Sequence, residues 1–172
     1  NTKFDKVFNT CKSSNLKLVK VDMKKIIIFI LLANINYVFS QDVKHIRELY
    51  LTSYNNKSTC DSLSSYLNLF DKKDNTIDAY IGANNLLISK FSKNIVKKFK
   101  YFEEGKNLIE QAIKNDPKNI EIIFIRYLNQ INCPWFLNYN QNLGEDRDFL
   151  IKNFNLINDP YFKNVIQKIL KN

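Results

Sequence analysis

The sequence predicts an all-α fold, a short array of antiparallel helical hairpins. Two observations carry that expectation. Apolar residues recur at intervals of three and four through most of the chain after residue 41, the spacing of one helix face. No stretch of alternating polar and apolar residues is long enough for a convincing strand. The 172 residues, 45% of them hydrophobic and 13% aromatic, suit one domain with a core of its own. Only 3 Gly and 3 Pro interrupt them, too few for a linker or a low-complexity tail.

The first forty residues stand apart. Met23-Lys24-Lys25 is followed by an unbroken apolar run from Ile26 to Ala33, and then by Val38-Phe39-Ser40 before Gln41. A basic start, an apolar middle and small or medium residues at the cleavage positions describe an export signal over 23–40. The run falls well short of the roughly 20 residues needed to cross a bilayer; an uncleaved anchor and a core helix are the alternatives. Residues 1–22 read as an upstream extension foreign to the native protein, with a genuine cytoplasmic extension as the other reading. The nearest later cysteine is Cys60, so a lipid-anchored N-terminal Cys is not expected.

Cleavage after Ser40 would leave a domain over 41–172 with 19 basic and 15 acidic residues, a net +4 where the whole chain carries +9. That is an ordinary solubility charge. A nucleic-acid partner is therefore not expected. The location implied is the periplasm or the exterior, with membrane contact only through the signal segment.

Within 41–172, Ile46, Leu49 and Tyr50 mark a first short helix. Leu63, Tyr66, Leu67 and Phe70 mark a second, with Thr59 or Asp61 as candidate caps. After the polar turn 71–75, the positions Ile77, Tyr80, Ile81, Asn84, Leu87, Ile88 and Phe91 trace a third. The fourth has the clearest stripe: Ile95, Phe99, Phe102, Gly105, Ile109, Ala112 and Ile113, with lysines directed elsewhere. A glycine in mid-helix costs about 1 kcal/mol against Ala, and Gly105 on the apolar side predicts a close backbone crossing. Pro117 ends this helix. The fifth, through Ile120, Ile123, Phe124, Tyr127, Leu128 and Ile131, has so broad an apolar face that it belongs in the middle of the molecule. The segment Cys133-Pro134-Trp135-Phe136-Leu137-Asn138-Tyr139 follows, read as a hydrophobic plug or, alternatively, as a ligand surface. Phe149, Leu150 and Phe154 mark another helix, for which Asp146 is a candidate cap. Asp159-Pro160 opens the last, with Phe162, Val165, Ile166, Ile169 and Leu170 inside.

The stretch Gly105 to Asn119 resembles the tetratricopeptide repeat family. Gly105, Ile109, Ala112 and Pro117 stand at the intervals of that family's small residue, large apolar residue, alanine and repeat-ending proline. Gly105 replaces the usual Ala, and the helix before it lacks the family's Trp and Gly pattern. At a looser level Ala112-Ile113, Pro117, Asn119, Arg126 and Pro134 through Tyr139 resemble small exported helical proteins of the Bacteroidetes. The resemblance implies stacked helix pairs with a concave surface for peptides or protein elements.

Few residues invite chemistry. Three Cys and one His offer almost nothing for a zinc site or an imidazole-based reaction, and no cofactor or metal is expected. His45 reads as a surface residue, and the acidic groups Glu103-Glu104 and Asp146-Arg147-Asp148 as solvated or capping. Cys60 and Cys133 lie so far apart in sequence that pairing depends on the fold; two buried thiols are the preferred reading. Lys outnumbers Arg 23 to 3, so an Arg inside the most apolar helix stands out. Arg126 is expected to pair internally with an acidic side chain or a carbonyl or, in the sharper alternative, to bind an acidic partner between hairpins.

The function expected is a non-catalytic interaction module that binds a peptide or an envelope-associated partner protein in a groove between hairpins, with homodimerisation plausible. Its candidate anchors are Tyr80, Tyr101, Arg126, Tyr127, Trp135 and Tyr139. The alternative is an envelope enzyme, a lyase or hydrolase working through carboxylates.

Overall fold

The computed structural model describes residues 42–70 and 74–171, and among them there is helix and connecting turn but no strand. The expected export segment, the extension before it and Asp71 to Lys73 of the polar turn lie outside the described residues. No described helix is long and apolar enough to cross a membrane.

The elements are α1 (42–53), α2 (Lys57–Leu67), α3 (Asn75–Phe91), α4 (Ile95–Asn115), α5 (Ile120–Ile131), a 3-10 turn (Trp135–Leu137), α6 (Leu143–Asn153), a second 3-10 turn (Phe154–Leu156) and α7 (Pro160–Lys171). Asparagine does much of the capping. The side chains of Asn56, Asn94 and Asn119 accept hydrogen bonds from the first-turn N–H groups of α2, α4 and α5, and Asp74 does so for α3. Asn56 rather than Thr59 or Asp61 caps α2, because the helix already includes Thr59, whose N–H donates to Asn56 at 3.2 Å. Asp159 caps α7 as expected, accepting from Tyr161 and Phe162.

Helices α3 and α4 form the tightest pair, and they run antiparallel. Asn75 meets Asn115 at one end, Gly82 meets Gly105 in the middle, and Ser89 donates to the Lys98 carbonyl near the short connection. The crossing expected at Gly105 is present, and it takes two glycines. A Cβ on Gly105 would lie 2.5 Å from the Gly82 carbonyl oxygen, and one on Gly82 would lie 2.7 Å from the Gly105 carbonyl oxygen. Backbone meets backbone here, so no side chain can yield.

Helix α5 occupies the interior as its breadth predicts, with every residue from Ile122 to Tyr127 buried. Helix α1 also enters the core. Ile46 is fully buried, Tyr50 packs edge-on against Tyr80 of α3, and Arg47 lies 4.0 Å over the Phe162 ring of α7. Phe124 and Phe162 join α5 to α7 through an edge-on contact with ring centres 5.0 Å apart.

Four expectations are corrected. Cys60 is buried but Cys133 is only half-buried, and the two are free. Asp146 lies inside the first turn of α6 and faces Arg126 instead of capping. The segment 133–139 is no plug: Trp135 is 85% and Phe136 65% exposed, and only Tyr139 turns inward. The 3-10 turn stops at Asn138, which sits in the left-handed region at φ 48°, a conformation that asparagine tolerates. The two aromatics before that reversal are exposed, and Tyr139 after it is buried. Finally, the first two members of the α4 stripe, Ile95 and Phe99, are 62% and 51% exposed, because they line an open cleft rather than a packed interface.

Gly105→Ala is expected to destabilise the fold by about 1–3 kcal/mol, since overpacking against backbone outweighs the helix-propensity gain. Gly144 of α6 has nothing within 4 Å of an added Cβ, so Gly144→Ala should be neutral or stabilising by up to about 1 kcal/mol. Urea unfolding of the two variants side by side checks the contrast.

Candidate functional site

The structure sends most of the sequence-predicted anchors inward. Tyr80 is fully buried, Tyr139 is 2% and Tyr127 7% exposed, and Arg126 is 8% exposed. Tyr101 is half-buried, and Trp135 stands in the open. Arg126 and Tyr139 come together through a shared acid; the others are dispersed.

Two ion clusters of the same construction hold the buried charged residues Arg47, Arg126 and Asp146. In the first, the Arg47 guanidinium donates from Nε and Nη2 to the two oxygens of Glu121, each at 2.7 Å, and from Nη1 to Asp159 at 2.7 Å. The Tyr80 hydroxyl also donates to Glu121. In the second, Arg126 donates to the Asp146 oxygens at 2.8 and 2.6 Å and to Glu110 at 3.0 Å, and Tyr139 donates to Glu110 at 2.8 Å. Each cluster is one arginine, two carboxylates and one tyrosine, drawn from different elements. The preferred expectation for Arg126, an internal partner, is met, and of the acid and carbonyl left open it is the acid. Arg47 has the same role, and the signal that marked Arg126, a rare Arg beside apolar residues, was present at Arg47 as well.

Burial works against the charge of both guanidiniums, but the paired carboxylates outweigh it and hold Arg47 and Arg126 charged beyond their usual range. Burial pushes Tyr80 and Tyr139 well up, helped by the adjacent glutamates, so both remain donors. Burial pushes the Asp146 carboxyl up against the pull of Arg126. At Asp159 burial pushes up too, but the bonds from Arg47 and from the Phe162 and Tyr161 N–H groups win, and the carboxyl sits below its usual range. These acids are occupied by arginine forks. Among the residues that line two hollows beside the α3–α4 pair, Glu104 is the only carboxylate.

The hollows lie on either side of the α3–α4 pair. One is an open groove of about 730 Å³ between the end of α2 and that pair, lined by Phe70, Ile81, Ile88 and Leu108 and by the amides Asn68, Asn84, Asn85 and Asn107. Asn84 is its fixed floor: its amide donates to Ser64 at 2.7 Å and its oxygen accepts from Cys60. Burial pushes the Cys60 thiol to about 11, so it stays protonated. The side chains of Asn68, Asn85 and Asn107 make no hydrogen bond among the described residues. The other hollow is a narrower apolar cleft of about 370 Å³ between the start of α4 and the 133–139 segment, with Leu86, Leu87, Phe99, Phe102, Phe136 and Tyr139 in its walls. At roughly 100° per residue, the positions that line groove and cleft fall on opposite sides of both α3 and α4.

Among the described residues no group of three or more His, Cys, Asp or Glu is gathered as metal ligands. No protein-family model, curated protein or solved structure matches this chain.

Arg126→Ala is expected to cost about 3–5 kcal/mol by stranding the buried Asp146. Arg126→Lys, which keeps the charge and loses the fork, should fall between it and the unaltered protein; denaturant midpoints rank the three. The stability that Asp159 contributes is complete above the ordinary carboxylate pKa of about 3.9 and is lost as pH falls through its lower folded value. Asp159→Asn should therefore flatten the acid limb of a stability-versus-pH curve.

Proposed function

We propose that this chain is a non-catalytic interaction module that holds an extended peptide, or an extended segment of a partner protein, in the groove between α2 and the α3–α4 pair. The observation that carries the reading is the set of uncommitted amides. Asn68, Asn85 and Asn107 border the groove without bonds of their own. A primary amide offers both a donor and an acceptor, the two groups that a peptide backbone needs in alternation. Phe70, Ile81, Ile88 and Leu108 lie between them and supply apolar contact for alternate side chains.

The likeness of Gly105, Ile109, Ala112 and Pro117 to a tetratricopeptide repeat supports the same reading, since α3 and α4 would then be the two helices of one repeat and the groove its concave side. The anchors expected from the sequence take other roles here: Tyr80, Arg126 and Tyr139 hold the scaffold that shapes the groove, and binding falls to the asparagines. On the reading of Met23 to Ser40 as an export signal, the partner is met in the periplasm or outside the cell.

The test is selection of a random peptide library on the immobilised chain. Enriched peptides should bind Asn85→Leu and Asn107→Leu variants about tenfold more weakly each, the worth of one lost hydrogen bond of about 1.4 kcal/mol. Failure to enrich any peptide, or peptides indifferent to both substitutions, would remove the proposal.

A further inference from the structure

The groove between α2 and the α3–α4 pair differs at its two ends. Toward the turn that joins α2 to α3 it is lined by Asn68, Phe70 and Ile81, none of them charged. Toward the connection between α3 and α4 it ends at Ile88 and Glu104. The antiparallel register that sets Gly82 against Gly105 and Ser89 beside Lys98 puts Lys100 level with Ile88. At roughly 100° per residue, Lys97, Lys100, Glu104, Asn107 and Leu108 fall within about 100° of one another around α4. The groove wall that α4 supplies therefore continues into two lysines at this end.

The charges there do not cancel. Lys100 meets Glu104 at 3.8 Å with both side chains exposed, too long for a hydrogen bond, and an exposed pair of that kind contributes little. Lys97 has no acidic partner among the described residues. Two ammoniums thus stand against one carboxylate, and this end of the wall is positive. On α2 the stripe of Ser64 and Asn68 runs back to Asp61 and Lys57, which neutralise each other at 2.7 Å. The groove has an uncharged end and a positive one.

We infer that the segment held in the groove is acidic at one end. Its Asp or Glu side chains lie against Lys97 and Lys100, and its uncharged remainder lies along Asn85, Asn107, Ile81 and Phe70. The inference rests on the reading of the groove as a peptide site; it adds the charge of the occupant and which of its ends lies where. Docking a carboxylate here disturbs only the loose Lys100–Glu104 pair. Flexible ammoniums suit a partner whose acids vary in position, whereas the interior of this protein, which needs fixed geometry, uses arginine forks.

Peptides selected from a random library on the immobilised full chain should carry Asp or Glu at one end and no charge in the remainder. Exchanging those acids for Asn or Gln should weaken binding about fivefold, the scale of exposed ion pairs. Replacing Lys97 and Lys100 together by Gln should lose the same factor for the acidic peptides and nothing for their amide counterparts. Raising the salt should erase the difference between the two peptides as screening sets in. Lys97→Glu with Lys100→Glu should turn the selection toward Lys or Arg at that end. Both lysines are exposed, and circular dichroism verifies that the variants keep the helical fold. Selected peptides that are neutral throughout, or basic at that end and dependent on Glu104, would overturn the inference. So would acidic peptides indifferent to Lys97 and Lys100. In each of those cases the peptide groove itself survives if Asn85→Leu and Asn107→Leu still weaken binding. A library that enriches nothing, or peptides indifferent to both asparagines, removes the groove and the inference together.

Discussion

The closest constraint in this molecule is the meeting of two backbones at Gly82 and Gly105. Neither position has room for a Cβ, because the carbonyl of the opposite glycine stands where it would go. The contact fixes how near α3 and α4 approach along their antiparallel length, and the pair then serves as a two-sided wall. The amide groove forms on one side and the apolar cleft on the other. A bulkier residue at either glycine would spread the pair and change both hollows at once.

The two ion clusters hold the remaining helices to that wall. Arg47 ties α1 to the start of α5 and to the cap of α7, while Arg126 ties α5 to α4 and α6. Such buried ions contribute less to net stability than their distances suggest, because each charge has lost its hydration. Their geometry is more informative. A fork that donates to two carboxylates and leaves no donor stranded is satisfied in one arrangement of helices. Lysine, twenty-three times in this chain, cannot supply that fork, which explains why two of the three arginines are inside. The abundance of lysine elsewhere covers the surface.

Helix positions were legible in the sequence because they depend on spacing along the chain. The stripes of α3 and α4, the stop at Pro117, the breadth of α5 and the cap at Asp159 are local properties, and folding preserves them. The crossing at Gly105 could be read because a glycine in an apolar stripe has few other uses, yet its partner Gly82 gave no separate signal. What periodicity could not reveal is which part of a stripe finds a cover. Ile95 and Phe99 belong to the same face as Phe102 and Ile109 but are left exposed along an open cleft. Nor could composition tell the exposed Trp135 from the buried Tyr139, which flank the left-handed Asn138. The sequence by itself determined the helices, their ends and the demand for internal partners at arginine. Only the tertiary structure decided which aromatics are buried, which acids answer Arg47 and Arg126, and which asparagines are left without a bond, because those outcomes depend on contacts between residues distant in the chain.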